Sequence, residues 1–265
     1  MTIKIPDNYM GKPIKGSLER VLANAPVIID PTPAIQPMRN PTPANINDPQ
    51  NYIILPGQSY GNYSYPDLLV AMDRTHNNKN WNDCHTALDQ ENAFMLNPRQ
   101  FVDFLNVLRS GNAYDGRGSP ADSQKVESML DEILTVRSLW RSEWLDAKFE
   151  SRGGTLGIGS KMYIKSGHSQ TIISNTTLKS VDEPLTDYLK SDKTPGIDLD
   201  SWLSNANEHG LPKANISDGS LYYWSPRNGK VARFYANSDG AGLNCYGDPS
   251  FTDSSLGVRA ARPKI

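Results

Sequence analysis

The pattern of apolar residues changes near residue 140, and this change constrains the fold more than any other feature of the chain. Before it, two segments place apolar side chains at helical spacing, on one face of a helix. After it, apolar residues fall in short runs between turn-forming residues, the pattern of β-strands. The sequence therefore predicts an α+β fold in which two helices pack against short antiparallel strands.

Both early helices have a start signal and an apolar stripe. Asn97 can cap the first helix, Pro98 suits its first position, and its stripe covers residues 101–108. Ser119-Pro120 repeats the start signal, followed by a stripe over residues 126–134. We expect both stripes to be core, with no chemistry of their own.

The strand signals lie mainly in the second half of the chain. Tyr65–Asp73 is predicted to be a first buried strand, and a short helix is predicted over Asp198–Ala206, capped by Asp198. The later strands share short length and flanking turn residues, and are predicted at Glu143–Phe149, Lys161–Ser166, Leu221–Ser225, Val231–Asn237, Gly242–Tyr246 and Gly257–Arg262.

Residues 1–50 have the composition of an extended, proline-rich N-terminal arm. Pro31-Thr32-Pro33-Ala34 is followed by Pro41-Thr42-Pro43-Ala44, and proline at this density removes backbone donors and favours polyproline-like chain. Two interpretations stay open: a solvated linker, or an arm that docks on a neighbouring subunit or a larger assembly. Residues 51–265 are then the folded domain.

Composition excludes several classes of protein. With 19 prolines, 20 glycines and 37% apolar residues in the whole chain, the protein is predicted to be loop-rich. The net charge of −2 gives no reason to expect nucleic acid as a partner. We expect no membrane insertion, because no run approaches the roughly 20 apolar residues of a span. The start of the chain lacks the apolar core of a signal peptide, so localisation stays open. Cys84 and Cys245 are predicted to be free, buried thiols.

The segment Val231–Arg262 differs in composition from the chain before it. It contains no Lys, Glu, Gln, Met or Trp, and it is rich in Tyr, Asn, Ser, Asp, Gly and Arg. The segment Phe101–Ser123 lacks the same five types over a shorter run. Rigid aromatics combined with short polar side chains are typical of a binding surface rather than of a catalytic pocket.

Alternation along the strands separates core residues from ligand-facing ones. The core side should hold Ala232, Phe234, Ala236, Leu243 and Cys245, together with Val258 and Ala260 where the last strand closes the sheet. Residues predicted to contact a ligand are Tyr222, Arg227, Asn228, Arg233, Tyr235, Asn237, Asp239, Asn244, Tyr246, Asp248, Ser250, Phe251 and Thr252. The alternative for Tyr235 and Tyr246 is an ordinary half-buried position in the sheet. Arg259 and Arg262 are expected to form structural ion pairs.

No motif in the chain predicts catalysis, a metal or a cofactor. His76, His85, His168 and His209 show no ligand spacing such as His-x-x-x-His. Ser169 lacks the context of a nucleophile elbow. The glycine-rich segment 153–161 lacks Gly-Lys-Ser/Thr and is interpreted as a turn. We therefore expect a protein that is not an enzyme.

Three segments, in the same order, resemble the C-type-lectin-like fold. Asn80–Ala87 is similar to the Trp-x-x-Ala helix start of that fold. Phe94–Phe101 is similar to its entry into the second helix, although Asn97-Pro98 reverses the expected Pro-Thr and Gln100 replaces an acid. The C-terminal series Tyr-Trp-Ser, Ser-Asp-Gly and Val-Arg-Ala-Ala-Arg is the third segment. Together they cover about residues 65–265.

Within that fold, the chain most resembles the variable proteins of diversity-generating retroelements. Their C-terminal stretch is diversified by replacement of template adenines, so that an AAC codon becomes any codon ending in C. Such codons never encode Lys, Glu, Gln, Met or Trp, the five types absent from Val231–Arg262. The resemblance implies a variable region at about residues 221–262, on a rigid lectin-like frame.

The resemblance implies a ligand-binding protein that recognises a receptor or host surface, displayed on a virion or a cell surface. The partner would be a protein or another cell-surface component. Two alternatives remain: a virion or surface component of fixed sequence, and an enzyme related to formylglycine-generating enzymes. That enzyme needs a closely spaced cysteine pair near the C-terminus, where this chain has only Cys245. Trp81-Asn82-Asp83 matches a tripeptide of calcium-dependent sugar-binding lectins, but it lacks their Glu-Pro-Asn partner, so we expect no such site.

Overall fold

A computed structural model describes residues 48–154, 159–168 and 180–264, together with the backbone of residues 8–9 and 12–13. The chain divides into two units, Met1–Thr42 and Pro43–Ile265. In the first unit, β1 (Asn8–Tyr9) pairs with β2 (Lys12–Pro13) in antiparallel fashion. Apart from residues 48–50, the rest of the predicted N-terminal arm lies outside the described residues, as do Ser169 and part of the glycine-rich turn.

The second unit is a mixed α+β domain, as predicted. Its strands are β3 (Tyr52–Leu55), β4 (Gln58–Tyr60), β5 (Tyr63–Tyr65), β6 (Leu68–Thr75), β7 (Phe94–Met95), β8 (Arg141–Arg152), β9 (Lys161–Ser166), β10 (Val181–Pro184), β11 (Lys193–Ile197), β12 (Leu221–Trp224), β13 (Lys230–Ala236), β14 (Ala241–Gly247) and β15 (Leu256–Pro263). Its helices are α1 (Trp81–Gln90), α2 (Pro98–Arg109), α3 (Ser123–Leu134) and α4 (Leu199–Asn205), with a 3-10 turn at Pro49–Asn51.

Eleven of the strands form one sheet. The main order is β11-β12-β14-β13-β8-β15-β6-β3. In addition, β9 pairs with β8, β10 pairs with β9, and β7 pairs with β15. β4 and β5 form a separate hairpin. The expectation of only short antiparallel strands is wrong on two counts. β12 runs parallel to β14 and β8 runs parallel to β15, and β8 is 12 residues long.

Side-chain caps set where the helices begin. The Asn97 side chain accepts from the backbone N–H of Gln100, and the Gln100 side chain accepts in return from the N–H of Asn97, so α2 starts as predicted. Asp198 caps α4 at the predicted position. The predicted start of α3 at Ser119-Pro120 is wrong. Pro120 instead forms a β-bridge with Tyr114, and the Asp122 side chain caps the helix at the N–H of Lys125.

The described residues contain four α-helices: the two predicted early helices, the predicted short helix near Asp198–Ala206, and α1, whose start at Trp81 was implied by the resemblance alone. Residues of α2, α3 and α4 pack in one core cluster, whereas Trp81, Cys84 and Leu88 of α1 pack in a second. All five residues predicted to point into the core from β13 and β14 are fully buried: Ala232, Phe234, Ala236, Leu243 and Cys245. Cys84 and Cys245 are both free and buried, which confirms the predicted thiols.

A buried ionic network joins β8 to β15. Glu143, which is 1% exposed, accepts from Arg141 at 2.9 Å and from Arg259 at 3.1 Å. Arg259 also donates to the carbonyl oxygens of Ala71 and Met72 in β6, and Arg141 is paired with Glu132 of α3. Burial acts to raise the pKa of Glu143, but the two guanidinium groups hold it below its usual value.

The predicted structural ion pair is therefore confirmed for Arg259. Arg262 differs, since it makes no ion pair with any residue that the structure describes and instead lies over the Tyr52 ring, with its guanidinium carbon 5.2 Å from the ring centroid.

Removal of Arg259 should strongly destabilise the domain. In Arg259→Met, Glu143 keeps only one of its two guanidinium partners while remaining buried, so the free energy of unfolding should fall by about 3 kcal/mol or more. Urea unfolding followed by tryptophan fluorescence measures this. The control is Lys193→Met, which breaks the exposed pair with Asp218 and should cost less than about 0.5 kcal/mol. Equal losses in both variants would contradict the network's role.

Candidate functional site

A cleft of about 250 Å³ lies where β12, β14 and β13 run side by side. Its lining residues are aromatic or polar and are Trp140, Tyr222, Trp224, Arg233, Tyr235, Asn237, Asp239, Asn244 and Tyr246. Seven of the thirteen predicted ligand-contacting residues are among them. The strands thus bring together side chains from a predicted face rather than scattering them.

Strand register places these side chains on one face. Tyr222 of β12 lies opposite Gly242 of β14, which lies opposite Tyr235 of β13 on its other side. A Cβ on Gly242 would come within 2.5 Å of the Tyr222 carbonyl oxygen, so only glycine fits there. The missing side chain leaves the floor of the cleft open between the two tyrosines.

The aromatic residues of the cleft hold one another in place. The Trp224 indole N–H donates to the Tyr235 hydroxyl at 3.2 Å. The Trp224 ring packs edge-on against Tyr246, with centroids 5.3 Å apart. Tyr235 is partly buried, and this burial raises its pKa. Tyr246 is more open, with 38% of its surface exposed. Tyr235 is therefore half-buried in the sheet, and its remaining surface faces the cleft. Its environment fits both the predicted ligand contact and the alternative of an ordinary half-buried position.

Arg233 is a cation without a carboxylate partner among the described residues. Its guanidinium carbon lies 5.7 Å from the centroids of both the Trp140 and Phe251 rings. Its Nε is buried and makes no hydrogen bond to any described atom. Desolvation lowers the pKa of Arg233, and the hydroxyls of Tyr246 and Tyr235 partly oppose this shift. A cation held between rings is suited to receive an anionic group from outside.

Two of the predicted contact residues use their side chains to hydrogen-bond with the backbone. Asn244 is only 4% exposed, which corrects the prediction that it projects outward. The strand register shifts between Val231 and Arg233, and the Asn244 side-chain oxygen there accepts from the N–H of Tyr246 at 2.9 Å. The Asn237 side chain accepts from the N–H groups of Asp239 and Gly240, both at 3.0 Å, and so fixes the turn between β13 and β14.

The six other predicted residues lie outside the cleft lining. Arg227 pairs with Asp192 at 2.8 Å, and Asn228 accepts from the N–H of Ser151 at 2.8 Å. Phe251 packs against Trp140, with centroids 6.1 Å apart, and is 41% exposed. Thr252 is exposed. Both Arg227 and Asn228 are thus engaged within the fold.

Asp248 and Ser250 form a local cluster in the loop after β14. Asp248 accepts from Ser250 and pairs with Lys230 at 3.1 Å. Hydrogen bonds from Ser250 lower the pKa of Asp248 to about 2. These groups are exposed but already paired with one another.

Sequence reasoning missed two cleft residues, Trp140 and Trp224. Trp224 alternates with Tyr222 in β12, and this spacing places both on the same face, so the pattern contained the signal. Trp140 directly precedes β8, and its position beside the cleft depends on the pairing of β8 with β13. A single sequence carries no signal for that pairing.

Among the described residues, two groups of side chains away from the cleft have atoms close enough together to hold a metal ion. One consists of His85, Asp146 and His168, and the other of Glu183, Glu208 and His209. The expectation that the histidines form no metal set rested on spacing within the sequence. It did not anticipate that the fold brings His85 and His168 together from distant segments.

Comparison with protein-family models, with curated proteins and with solved structures gives no match for this chain. Within the described part of the chain, no helix has the length and apolar character required to cross a membrane.

Replacement of Arg233 should not cost stability. Arg233→Met keeps an unbranched apolar stem between Trp140 and Phe251 and removes a partly buried charge with no acidic partner among the described residues. We expect the free energy of unfolding to stay within about 0.5 kcal/mol of the original or to rise. The same substitution at Arg259 is the matched comparison. A loss in Arg233→Met as large as in Arg259→Met would show that Arg233 is a structural residue.

Proposed function

We propose that this protein is a non-enzymatic binding protein whose cleft between β12, β13 and β14 recognises a macromolecular ligand. The observation that carries the proposal is that Tyr222, Trp224, Arg233, Tyr235 and Tyr246 line one cleft although they come from three strands. Aromatic side chains and arginine supply most of the energy at protein interfaces. A face of this composition is otherwise an unfavourable surface for a monomer.

The buried side of β13 supports this function, because its packing contacts do not involve the side chains that line the cleft. The residues of β13 that alternate with Arg233 and Tyr235 are Ala232, Phe234 and Ala236, and none has any exposed surface. Phe234 packs between Phe101 of α2 and Trp202 of α4, at centroid distances of 5.2 and 6.1 Å. Exchange of the outward side chains therefore leaves these buried contacts in place.

The finer proposal is a C-type-lectin-like fold and a variable protein of a diversity-generating retroelement. In its support, a helix begins at Trp81 and another at Pro98, the two helix starts for which the resemblance has motifs. The segment that lacks the five excluded residue types, Val231–Arg262, contributes β13 and β14 to the cleft. In this proposal the protein acts at a virion or cell surface, and residues 1–50 dock it on a larger assembly.

A genomic observation tests the retroelement proposal. A reverse transcriptase gene nearby, with a second copy of the segment for residues 221–262 that differs only at adenines, would establish diversification. Substitutions spread over all four bases would rule it out. The binding proposal itself would survive that outcome, because it rests on the cleft alone.

Removal of two cleft tyrosines should abolish binding without unfolding the domain. A random peptide library displayed on phage is selected on the immobilised protein, and the enriched pool is tested on Tyr235→Ala/Tyr246→Ala. We expect binding of the pool to fall at least tenfold, because the variant loses two aromatic contact surfaces. Tyr114→Ala is the control, because Tyr114 is 49% exposed and is not part of the cleft lining.

Two results would contradict this expectation. Equal binding of the pool to the original protein and to the double variant would show that the cleft is not the binding surface. Loss of cooperative thermal unfolding in the double variant would show that the two rings are core. An original protein that sediments as an oligomer, with the double variant a monomer, would favour the assembly role instead.

The ligand group that meets Arg233 should be acidic. Selected peptides should be enriched in Asp and Glu, and a labelled peptide from the pool should bind Arg233→Met at least tenfold more weakly. Its affinity for the original protein should fall as salt is raised. Arg227→Met is the control, since Arg227 is already paired with Asp192, and it should change affinity by less than about twofold. Selected peptides without acidic residues would exclude the acidic group but leave the cleft as the binding site.

A further inference from the structure

Three side chains from separate elements converge at a place that the proposed function does not use. His85 comes from α1, Asp146 from β8, and His168 follows the end of β9. The Asp146 Oδ1 atom lies 2.5 Å from His168 Nδ1 and 3.6 Å from His85 Nε2. The three potential ligand atoms all lie within 4.8 Å of one another.

The backbone fixes the orientation of the Asp146 carboxylate. Its Oδ2 atom accepts from the N–H of Gly167 at 2.7 Å and from the N–H of His168 at 3.1 Å. Its Oδ1 atom is therefore directed at the two imidazoles. Outer hydrogen bonds of this kind orient the carboxylate ligands of metal sites.

His85 is the unusual member of the cluster. The residue is only 7% exposed, and neither ring nitrogen makes a hydrogen bond to any residue that the structure describes. Buried polar groups nearly always have a hydrogen-bond partner, and one without a partner destabilises the fold. An imidazole nitrogen without a hydrogen-bond partner is available to bind a metal ion.

The surroundings hold His85 in place and place no lysine or arginine against the carboxylate. The Trp81 ring packs edge-on against His85 at 4.3 Å and against His168 at 4.9 Å. The Trp81 indole N–H donates to the Leu145 carbonyl oxygen at 3.0 Å, so this wall is itself fixed. Among the described residues, the only basic side chains paired with Asp146 are the two histidines.

We propose that His85 Nε2, Asp146 Oδ1 and His168 Nδ1 bind one Zn²⁺ ion. Two imidazoles and one carboxylate form a ligand set that suits zinc, with a fourth position left for water. The His168 side chain is 28% exposed and provides the side from which the ion enters. The ion replaces the proton between His168 Nδ1 and Asp146 Oδ1, and that proton is released to solvent.

Zinc binding needs only a small movement. Ligand atoms about 2.1 Å from a tetrahedral ion are roughly 3.4 Å apart, so the His168 and Asp146 atoms must separate by about 1 Å. His168 lies beyond the last residue of β9, and its ring can move without breaking a strand pair. The ion would then join α1, β8 and the end of β9, and would stabilise the folded state by mass action.

Elemental analysis of the full-length protein tests the site. Protein incubated with zinc chloride and passed over a desalting column should contain one zinc per chain. Removal of the ion with EDTA should lower the melting temperature. The His168→Gln variant should bind zinc at least tenfold more weakly in calorimetric titration, and it should still fold, since His168 is part-exposed and lies outside β9.

His209→Gln is the matched control, since His209 belongs to the second possible metal group with Glu183 and Glu208. It should retain full zinc affinity. Cobalt in place of zinc should give the visible absorption of a tetrahedral ion in His209→Gln but not in His168→Gln. The proposal is overturned if the original protein binds no zinc, or if zinc is lost in His209→Gln and retained in His168→Gln.

Discussion

The charge balance around Glu143 is the constraint on which the sheet depends. A carboxylate that is 1% exposed is tolerable only with both Arg141 and Arg259 against it, because an unpaired buried charge costs several kcal/mol. These contacts hold β8 against β15. Arg259 also donates hydrogen bonds to carbonyl oxygens of β6, so the network holds β6 to β15 as well. Since β8 also pairs with β13, the network supports the strand that contributes Arg233 and Tyr235 to the cleft.

Arg233 and Arg259 show what separates a structural arginine from one available to a ligand. Arg259 is 2% exposed and has two carboxylate partners, so its hydrogen bonds are used within the fold. Arg233 has no acidic partner among the described residues and lies between the rings of Trp140 and Phe251. Proteins rarely keep a partly buried, unpaired cation for stability, and local exceptions of this kind are concentrated at functional sites.

Local signals in the sequence predicted much of this structure. Capping predicted the start of α2 at Asn97-Pro98 and of α4 at Asp198, because those interactions span only three residues. Alternation predicted which face of β13 is buried. It failed at Asn244, where the register shift turns the side chain to its own backbone. The parallel pairs of strands, Trp140 in the cleft and the meeting of His85 with His168 all depend on contacts between distant segments, for which a single sequence has no local signal.

The same geometry limits which cleft residues a diversifying system could exchange. Asn237 holds the turn between β13 and β14, and Asn244 supports the shifted register, so replacement of either changes the backbone. Gly242 lies against the backbone of Tyr222, and a Cβ there would come within 2.5 Å of the Tyr222 carbonyl oxygen, so this position must stay glycine. Trp140 lies outside residues 221–262, and Trp224 is of a type that codons ending in C never encode, so the exchangeable set that the proposal allows reduces to Tyr222, Arg233, Tyr235, Asp239 and Tyr246. Under the proposed diversification, exchange at these five positions would change specificity more than shape, because the strands beneath them would not change.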